Sequence, residues 1–281
     1  MPDYKGVSGG APSTPDYKDV TGFVHSVETL GALDGPGLRF VVFLQGCLLR
    51  CKYCHNPDTW ACSGGTRITA GEQADEIFRY RKYITGGITV SGGEPLLQPE
   101  FTEALIRECK SRGIPHAAID TSGAVPLEKC RAAVDSADLI LLDIKAFDDA
   151  VARELTGLGT KNVASELTGL GTKNAWDLLN YCEATGKAVW IRHVLTPGIT
   201  VFENGPDGKP FPNEDAFRAG NKMLTDGAAR LREYRCIRKI ELLPFHKMGE
   251  FKWDELQIPC PLRETEEPAE VTVRRSRNIM L

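Results

Sequence analysis

The sequence predicts an α/β domain in which short buried strands alternate with helices. From Gly22 onward, runs rich in β-branched and apolar residues alternate with longer stretches of helical periodicity. The predicted strands cover residues 23–27, 39–45, 88–91, 116–120, 139–143, 188–194 and 239–243. The predicted helices cover residues 70–83, 99–112, 127–133, 176–185 and 214–234. This alternation indicates parallel strands joined by right-handed crossovers, arranged as an open or partial barrel or as a doubly wound sheet.

The ends of the predicted helices carry the residues that such ends prefer. Pro99 lies at the start of a periodic run, where its fixed φ and missing N–H are tolerated. Gly113 and Gly186 each follow a periodic run, at the place of a helix C-cap. These positions support the helix assignments independently of the apolar pattern.

Composition excludes several functional classes. The 281 residues are 42% hydrophobic and 26% charged, and 34 basic against 38 acidic residues give a net charge of −4. This charge argues against a general nucleic-acid binder, which usually presents a basic face. No apolar run approaches the roughly 18 residues of a membrane span. Nine cysteines, three of them close together, favour a metal or cluster site in a reducing compartment, so we expect a cytoplasmic protein.

The predicted domain organisation has three parts. Residues 1–21 are rich in Gly, Pro, Ser and Asp and are expected to form a disordered leader, and residues 22–253 are expected to form the main α/β domain. Within that domain, residues 154–162 recur identically at 166–174, and we expect this tandem duplication to lengthen a helix–loop region away from the strand ends. Residues 203–213 resemble an exposed loop insertion. Residues 254–281 are expected to form an irregular tail on the domain, because Pro268 interrupts any closing helix at 264–277.

Three cysteines follow the second predicted strand in a C-x3-C-x2-C array. These are Cys47, Cys51 and Cys54. Thiolates are soft ligands for zinc or for iron–sulfur clusters. A structural zinc site needs four ligands, usually as two separated pairs, and no second pair follows. Cys62 is the only nearby candidate for a fourth ligand. Three cysteines on a four-iron cluster leave one iron open to a substrate, and this is the reading the pattern favours.

Polar residues also follow the other predicted strands. Because the carboxyl ends of parallel strands carry the chemistry in α/β folds, these residues are candidates for one shared site. They fall in the segments 91–94, 120–123, 143–145, 192 and 244–246.

The order of these motifs resembles a known family. The cysteine spacing is similar to that of the radical S-adenosylmethionine (SAM) superfamily. The sequence then contains DGPGLR at 34–39, CHN at 54–56, SGGEP at 91–95, DTSG at 120–123, LDIK at 142–145, WIR at 190–192 and ELLPFH at 241–246. Together, over residues 22–253, these motifs resemble the activating enzymes of pyruvate formate-lyase, within the group that activates glycyl-radical enzymes. The implied fold is a partial (β/α)6 barrel with outer helices.

The resemblance implies roles for individual residues. It implies a [4Fe-4S] cluster on Cys47, Cys51 and Cys54, and a monovalent cation, Na⁺ or K⁺, on Asp120, Thr121, Asp143 and the carbonyl of Leu141. The residues implied to bind SAM are Tyr53, Asn56, Gly92, Gly93, Glu94, Asp143, Lys145, Arg192 and His246. In this assignment Glu94 and the two glycines hold the amino group of SAM, and His246 contacts its adenine. Asp34 and His55 are implied to contact the protein substrate.

The implied activity is that of an oxidoreductase acting on a protein. Reduced flavodoxin or ferredoxin supplies an electron, SAM is cleaved to methionine and a 5′-deoxyadenosyl radical, and the radical removes hydrogen from a glycine Cα of pyruvate formate-lyase. The enzyme is expected to be a monomer that binds neither nucleic acid nor membrane. One alternative is an activase of another glycyl-radical enzyme, of the dehydratase type. Such activases often carry a second-cluster insert, and the interval between Cys54 and Ser91 holds only Cys62. The other alternative is a non-enzymatic zinc- or cluster-binding module.

Overall fold

The computed structural model describes residues 16–157 and 172–280. Most of the expected leader and most of the tandem duplication lie outside these residues.

The described residues contain one eight-stranded sheet. Its strands are β1 (Thr21–Gly31), β2 (Arg39–Leu44), β3 (Thr66–Thr69), β4 (Gly87–Gly92), β5 (Ala117–Thr121), β6 (Leu139–Asp143), β7 (Ala188–Leu195) and β8 (Ile237–Pro244). Their spatial order is β3-β1-β2-β4-β5-β6-β7-β8. Every neighbouring pair from β2 to β8 is parallel. These six parallel strands confirm the predicted α/β fold with a partial (β/α)6 barrel.

The antiparallel edge of the sheet differs from the prediction. β1 pairs antiparallel with β2 and with β3. β3 was not predicted, because its four residues are mostly polar and none of them is fully buried. β1 alternates between exposed and buried residues, as expected for a strand that lies at the margin of the core. The alternation of strands and helices predicted the parallel part of the sheet and could not predict this hairpin-like addition.

The register of the parallel strands brings their carboxyl ends together. Leu44 lies opposite Gly92, and Asp143 lies opposite Arg192. β2 and β6 are buried along almost their whole length, which is typical of parallel strands covered on both faces. Polar residues that follow these strands therefore lie at one edge of the sheet.

The helices of the described residues cover the sheet. They are α1 (Ala70–Arg79), α2 (Pro99–Ser111), α3 (Leu127–Ser136), α4 (Asp149–Thr156), α5 (Lys173–Thr185), α6 (Glu214–Gly220), α7 (Lys222–Leu231), α8 (Glu250–Glu255) and α9 (Glu270–Met280). The helix predicted at 214–234 is divided at Asn221. The Asn221 side chain bonds both the N–H and the carbonyl of Phe202, and this contact draws the chain out of helical geometry.

The C-terminal segment is more regular than the sequence indicated. Helix α9 begins two residues after Pro268, so proline precedes the helix instead of interrupting it. Val273, Ile279 and Met280 on its inner face join the main core. The loop at 203–213 is largely exposed and is closed by a bridge between Asn204 and Pro210. Among the described residues, no helix has the length and apolar character needed to cross a membrane.

Candidate active site

A cavity of about 460 Å³ lies at the carboxyl ends of the parallel strands. It is lined by side chains from the ends of these strands and from residues 45–56, which we call the cluster loop. Most residues predicted for the site line it: Asp34, Cys51, Tyr53, Cys54, His55, Asn56, Gly92, Asp120, Asp143, Lys145, Arg192 and His246. The structure thus brings together residues that are up to 212 positions apart in the sequence.

The cluster loop is held by backbone contacts on two sides. Gly46, with φ of 101°, turns the chain out of β2 and donates its N–H to the carbonyl of Thr59 at 2.8 Å. On the other side, the N–H groups of Arg50 and Lys52 donate to the last carbonyls of α4, at 2.8 and 2.9 Å. The last carbonyls of a helix have no donor within the helix, and the loop supplies a donor to two of them here. The loop is therefore fixed independently of any bound group.

The three cysteine thiols suit an iron–sulfur cluster. Cys47 and Cys51 are 8% and 7% exposed, and burial raises the pKa of both, that of Cys51 to about 12. Buried thiolates need compensating positive charge, which iron would supply. In a four-iron cluster each thiolate would have its own iron, so three cysteines would leave the fourth iron open.

Arg192 lies at the centre of the charged residues in the cavity. Its guanidinium is 3.3 Å from Asp120, 3.7 Å from Asp143 and 3.8 Å from Asp34. Asp143 accepts a 2.9 Å hydrogen bond from Lys145. The Oδ1 atoms of Asp120 and Asp143 and the Nε of Arg192 are buried without a hydrogen-bond partner. Buried polar atoms are rarely left in this state, so this arrangement has capacity for a polar ligand.

The carboxylates of the cavity titrate differently. Burial raises the pKa of Asp120 to about 6, although Arg192 opposes the shift. Burial acts in the same direction on Asp143, but Lys145 and Arg192 outweigh it and hold the pKa of Asp143 below its usual value. For Lys145, burial acts to lower the pKa, but Asp143, Tyr53 and Cys51 together outweigh it and raise the pKa well above its usual value. Lys145 and Asp143 are therefore a charged pair at neutral pH.

Glu94 does not face the cavity, contrary to the expectation that it meets a cationic ligand. Its carboxylate accepts hydrogen bonds from the hydroxyl of Thr121 at 2.6 Å, from the N–H of Leu96 at 3.1 Å and from both the N–H and the hydroxyl of Ser122. Burial raises its pKa, although these bonds oppose the shift. Glu94 thus ties the turn after β4 to the end of β5.

Packing within the protein requires glycine at the two positions before Glu94, independently of any close approach to a ligand. A Cβ on Gly92 would lie 2.2 Å from the backbone N of Leu44, and one on Gly93 would lie 2.3 Å from the carbonyl O of Gly46. Both glycines therefore let this turn pack directly against the start of the cluster loop. Gly92 lines the cavity and Gly93 does not.

Two residues expected to hold a cation lie outside the cavity lining. The Thr121 hydroxyl is engaged with Glu94 and also accepts from the N–H of Gly123 at 3.0 Å. The Leu141 side chain packs in a small apolar cluster with Ala118 and Leu139. Leu141 was expected to act through its carbonyl and not through this side chain.

Two histidines close the far side of the cavity. The rings of His55 and His246 stack with centroids 4.2 Å apart, and His55 Nε2 lies 3.2 Å from the carbonyl O of His246. His246 Nδ1 and the hydroxyl of Tyr53 are buried without a hydrogen-bond partner. Asn56 is held by Lys252 at 2.8 Å.

Two residues that contribute to the site, Glu241 and Lys252, were not predicted from the sequence. The position of the tandem duplication was predicted wrongly. Glu241 lines the cavity and lies opposite Arg192 in the register of β7 and β8, and it is the first residue of the ELLPFH motif, which was the available signal. Lys252, in the unpredicted helix α8, has no signal in the sequence. The start of the duplication lies beside the cluster loop and not away from the strand ends, because Glu154 pairs with Lys52 at 2.9 Å.

The fold and the site together define the class of the protein. An open sheet of six parallel strands, with three cysteines in the loop after the first of them, is the architecture of radical SAM enzymes. Residues 33–162 match the family model described as a 4Fe-4S single cluster domain.

Sequence relatives identify the family within this class. The pyruvate formate-lyase-activating enzyme of Streptococcus mutans serotype c is 40% identical over 275 residues, which cover 94% of this chain and 93% of that protein. The enzyme of the same name from Clostridium pasteurianum is 40% identical over 250 residues, covering 88% of this chain and 92% of that protein. The chain belongs to the family of pyruvate formate-lyase-activating enzymes.

Solved structures support the fold. A radical SAM methyltransferase from Sphaerobacter thermophilus superposes with a TM-score of 0.52 at 18% identity, over 86% of this chain and 63% of that chain. Streptococcus suis SuiB bound to the precursor peptide SuiA gives a TM-score of 0.51 at 14% identity, over 80% of this chain and 46% of that chain. At these identities the likeness concerns the fold alone.

Proposed function

We propose that the protein activates pyruvate formate-lyase by reductive cleavage of SAM at a [4Fe-4S] cluster. The observation that carries the proposal is the position of the cluster loop. In a chain of the activating-enzyme family, Cys51 and Cys54 line a cavity whose buried carboxylates have atoms without partners. A cluster site and a site for a charged cofactor are therefore adjacent.

The cluster would be held by Cys47, Cys51 and Cys54, leaving one iron open. When bound, the cluster supplies the electron that cleaves SAM into methionine and a 5′-deoxyadenosyl radical, which takes hydrogen from a glycine Cα. The protein's part is to hold and shield these groups. The positive charge of Lys145 acts on Cys51 and Cys54 and favours their thiolate forms.

The charges of the cavity fit SAM, which carries a net positive charge of one. Four carboxylates line the cavity, those of Asp34, Asp120, Asp143 and Glu241, against the two cations Lys145 and Arg192. The Oδ1 of Asp120 lies 3.3 Å from Arg192 but has no hydrogen bond, so it suits the ammonium group of SAM, the role that Glu94 was expected to have. Lys145 and Arg192 are the cations available to its carboxylate.

The remaining parts of the cofactor have candidate partners too. The unpartnered Nδ1 of His246, in a ring stacked on His55, suits the polar edge of adenine. A monovalent cation between Asp120 and Asp143 would balance the remaining negative charge of the cavity. Thr121 and the carbonyl of Leu141 stay proposed ligands at its margin. Na⁺ or K⁺ dependence of SAM affinity tests this part.

The proposed protein substrate would approach beside Asp34. Leu33 is 81% exposed next to Asp34, which lines the cavity, so the rim offers both an apolar and a charged contact to an entering glycine loop. Reduced flavodoxin or ferredoxin is the proposed electron donor, and the protein is proposed to act as a monomer. All nine cysteines are free, which agrees with a reducing cytoplasmic setting.

The test is reconstitution under anaerobic conditions. We expect about four iron and four sulfide atoms per chain, release of 5′-deoxyadenosine after reduction, and a glycyl radical on added pyruvate formate-lyase by electron paramagnetic resonance. The variant Cys54→Ser should lose all three signals. Stoichiometric zinc without 5′-deoxyadenosine would contradict the proposal. A radical formed on a dehydratase-type enzyme and not on pyruvate formate-lyase would support the alternative partner.

A further inference from the structure

Strand β8 forms an open edge of the sheet. Within residues 16–157 and 172–280, it pairs only with β7, and no strand pairs with its other side. An unpaired strand edge presents a row of N–H and carbonyl groups to any extended chain that approaches it. The opposite edge of the sheet, β3, has only four residues, whereas β8 has eight. β8 is therefore the longer template for an added strand.

The backbone groups of β8 that point away from β7 follow from one hydrogen bond. The N–H of Phe245 donates to the carbonyl of Leu195 on β7, at 3.1 Å. Successive residues of a parallel strand direct their backbone groups to alternate sides. The groups of Ile240 and Leu242 therefore point away from β7, and so does the carbonyl of Pro244. Proline is tolerated in a strand where an N–H would face outward, so Pro244 agrees with an unpaired edge.

A groove of about 780 Å³ runs along this edge. All eight residues of β8 line it, together with Arg277 and Met280 of helix α9. Glu241, Leu243 and Pro244 line both this groove and the cavity at the carboxyl ends of the strands. The groove is therefore continuous with the candidate active site, and a chain that lies in it leads into that cavity.

The free charges of the groove are positive. Lys239 forms an ion pair with Glu241 at 2.5 Å, so these two charges compensate each other. Arg238 and Arg277 are exposed, and neither has an ion-pair partner within the part of the chain that the structure describes. Two cations without partners favour a chain that carries acidic side chains.

We propose that β8 binds an extended, acidic segment of the protein substrate as an added strand, and that this strand leads the target glycine into the cavity. Main-chain hydrogen bonds to Ile240 and Leu242 supply affinity, and Arg238 and Arg277 select for acidic side chains. The inference rests on the proposed function, because pyruvate formate-lyase is the proposed protein substrate.

The first experiment measures the KM for purified pyruvate formate-lyase, with the glycyl radical followed by electron paramagnetic resonance. Ile240→Pro removes an outward N–H and keeps the groups that pair with β7. Ile240→Ala is the matched control, because it also loses the isoleucine side chain but keeps the N–H. We expect the KM of Ile240→Pro to lie about tenfold above that of Ile240→Ala, close to 1.4 kcal/mol and to the value of one hydrogen bond. Equal KM values in the two folded variants would overturn the proposal.

A second experiment tests the charges and leaves the backbone of β8 intact. The double variant Arg238→Glu, Arg277→Glu should raise the KM about tenfold at low ionic strength, and less in about 0.5 M salt, because exposed charges are screened. The control is the double variant Arg235→Glu, Arg274→Glu, which changes the net charge equally at exposed positions outside the groove and should leave the KM unchanged. An equal KM in both double variants would also overturn the proposal, even if Ile240→Pro does not fold.

Cleavage of SAM without the protein substrate separates this inference from the proposed function. All variants should release as much 5′-deoxyadenosine after reduction as the unsubstituted protein. If the unsubstituted protein releases none, the proposed function fails. If it releases 5′-deoxyadenosine and forms the glycyl radical, but the KM does not respond to the substitutions, only the added strand fails. A dimer that Ile240→Pro dissociates without a change in KM would assign the β8 edge to a second copy of the chain.

Discussion

Two buried arginines of the same sheet have opposite surroundings. Arg39 begins β2 and is completely buried, and Arg192 lies near the end of β7 with its side chain 14% exposed. Arg192 faces three carboxylates, of which Asp120 is the largest cause of its raised pKa. Burial lowers the pKa of Arg39 to about 10, although the more distant charge of Asp34 opposes the shift.

Apart from the titratable ring of His116, the described hydrogen-bond partners of Arg39 are neutral groups. Its Nε donates to the hydroxyl of Thr89 at 2.6 Å, and its other nitrogens donate to the carbonyls of Pro36, Gly86 and Ile88. Backbone carbonyls cannot move away or take up a proton, so they hold the guanidinium in one position. In contrast, Arg192 lies at 3.3 to 3.8 Å from its carboxylates, and its Nε faces Asp143 at 3.7 Å without a hydrogen bond. The comparison separates an arginine that builds the fold from one that is available to a ligand.

Thr89 connects the two regions. Its hydroxyl accepts from Arg39 and donates to the backbone carbonyl of Asp34 at 2.6 Å. A Cβ on Gly35 would lie 3.1 Å from the side chain of Arg39, so the loop after Asp34 rests directly on that side chain. Arg39 thus supports the loop whose carboxylate faces Arg192. The rigid arginine positions a residue of the ligand site.

The largest effect is expected from Arg39→Met. This substitution leaves the carbonyls of Gly86 and Ile88 and the hydroxyl of Thr89 without their donor, and each buried unsatisfied acceptor costs about 1–3 kcal/mol. We expect the free energy of unfolding to fall by about 4 kcal/mol. Equilibrium denaturation in urea measures the change.

Arg192→Met is the matched control for this stability measurement. Asp120, with its pKa already raised to about 6, can take up a proton when its partner is removed. The control should therefore lose less than half as much stability as Arg39→Met. Equal losses in the two variants would show that the contrast between the two arginines is wrong.

The next largest effect concerns the ligand. Arg192→Lys keeps a positive charge among the carboxylates but loses the planar fork that reaches Asp34, Asp120 and Asp143 together. We expect the Kd for SAM to rise by about 100-fold, close to 2.8 kcal/mol, with little change in urea stability. Calorimetry on the reconstituted protein measures the affinity. A large loss of stability with normal affinity would assign Arg192 to the fold.

The same contrast explains how much could be predicted from the sequence. Arg192 was predicted as a site residue because it lies near the carboxyl end of a strand whose neighbours also end in polar residues, and because WIR at 190–192 resembles a motif of the family. Arg39 lies in the DGPGLR motif, but its role depends on the carbonyls of Gly86 and Ile88, and backbone acceptors leave no mark in residue identity. For the same reason Glu94 was predicted to face the cavity. Only the fold shows that the donors of Thr121 and Ser122 turn it away.

As with the site residues, only part of the fold could be predicted from the sequence. Short β-rich runs predicted the six parallel strands, and β2, β4, β5 and β6 are buried along most of their length, as strands covered on both faces are. β3 is short and mostly polar, and it is a strand because β1 offers it an edge to pair with. Helix α8 is equally unmarked, although its Trp253 and Lys252 hold the cluster loop. Elements that depend on a distant partner were the ones the sequence did not reveal.

A change of pH is expected to have a smaller effect on the free energy of unfolding, through His116 beside Arg39. His116 Nδ1 lies 3.2 Å from the guanidinium of Arg39, and burial and then Arg39 lower the pKa of His116 below 6.5. Asp138 opposes this shift and Lys110 adds to it. Because the folded pKa is the lower one, the unfolded chain takes up the proton first. The stabilisation is present above pH 6.5 and is lost as the pH falls through the folded pKa.

The measurement is the free energy of unfolding, from urea denaturation between pH 7.5 and 5.0, for the unsubstituted protein and for His116→Asn. Asparagine keeps an acceptor at the δ position and does not titrate. We expect the variant to lose less stability on acidification than the unsubstituted protein, since other groups titrate equally in both. Parallel pH profiles would contradict a role for His116 beside Arg39.

The smallest effect is expected from deletion of residues 158–169. The deletion joins Gly157 to Leu170 and leaves one complete copy of ELTGLGTKN. The described contacts of this region come from the start of the first copy, where Glu154 pairs with Lys52, and from the end of the second, where Asn174 donates to the carbonyl of Ala124 at 2.7 Å.

One copy therefore keeps both ends of the repeat beside the cluster loop. Neither Arg39 nor Arg192 loses a described partner in the deletion variant. We expect urea stability and SAM affinity to change by less than about 0.5 kcal/mol. Asn174→Ala, which removes one hydrogen bond from the same region, should cost about 1 kcal/mol and serves as the comparison. A deletion variant less stable than Asn174→Ala would mean that the twelve removed residues contribute contacts of their own.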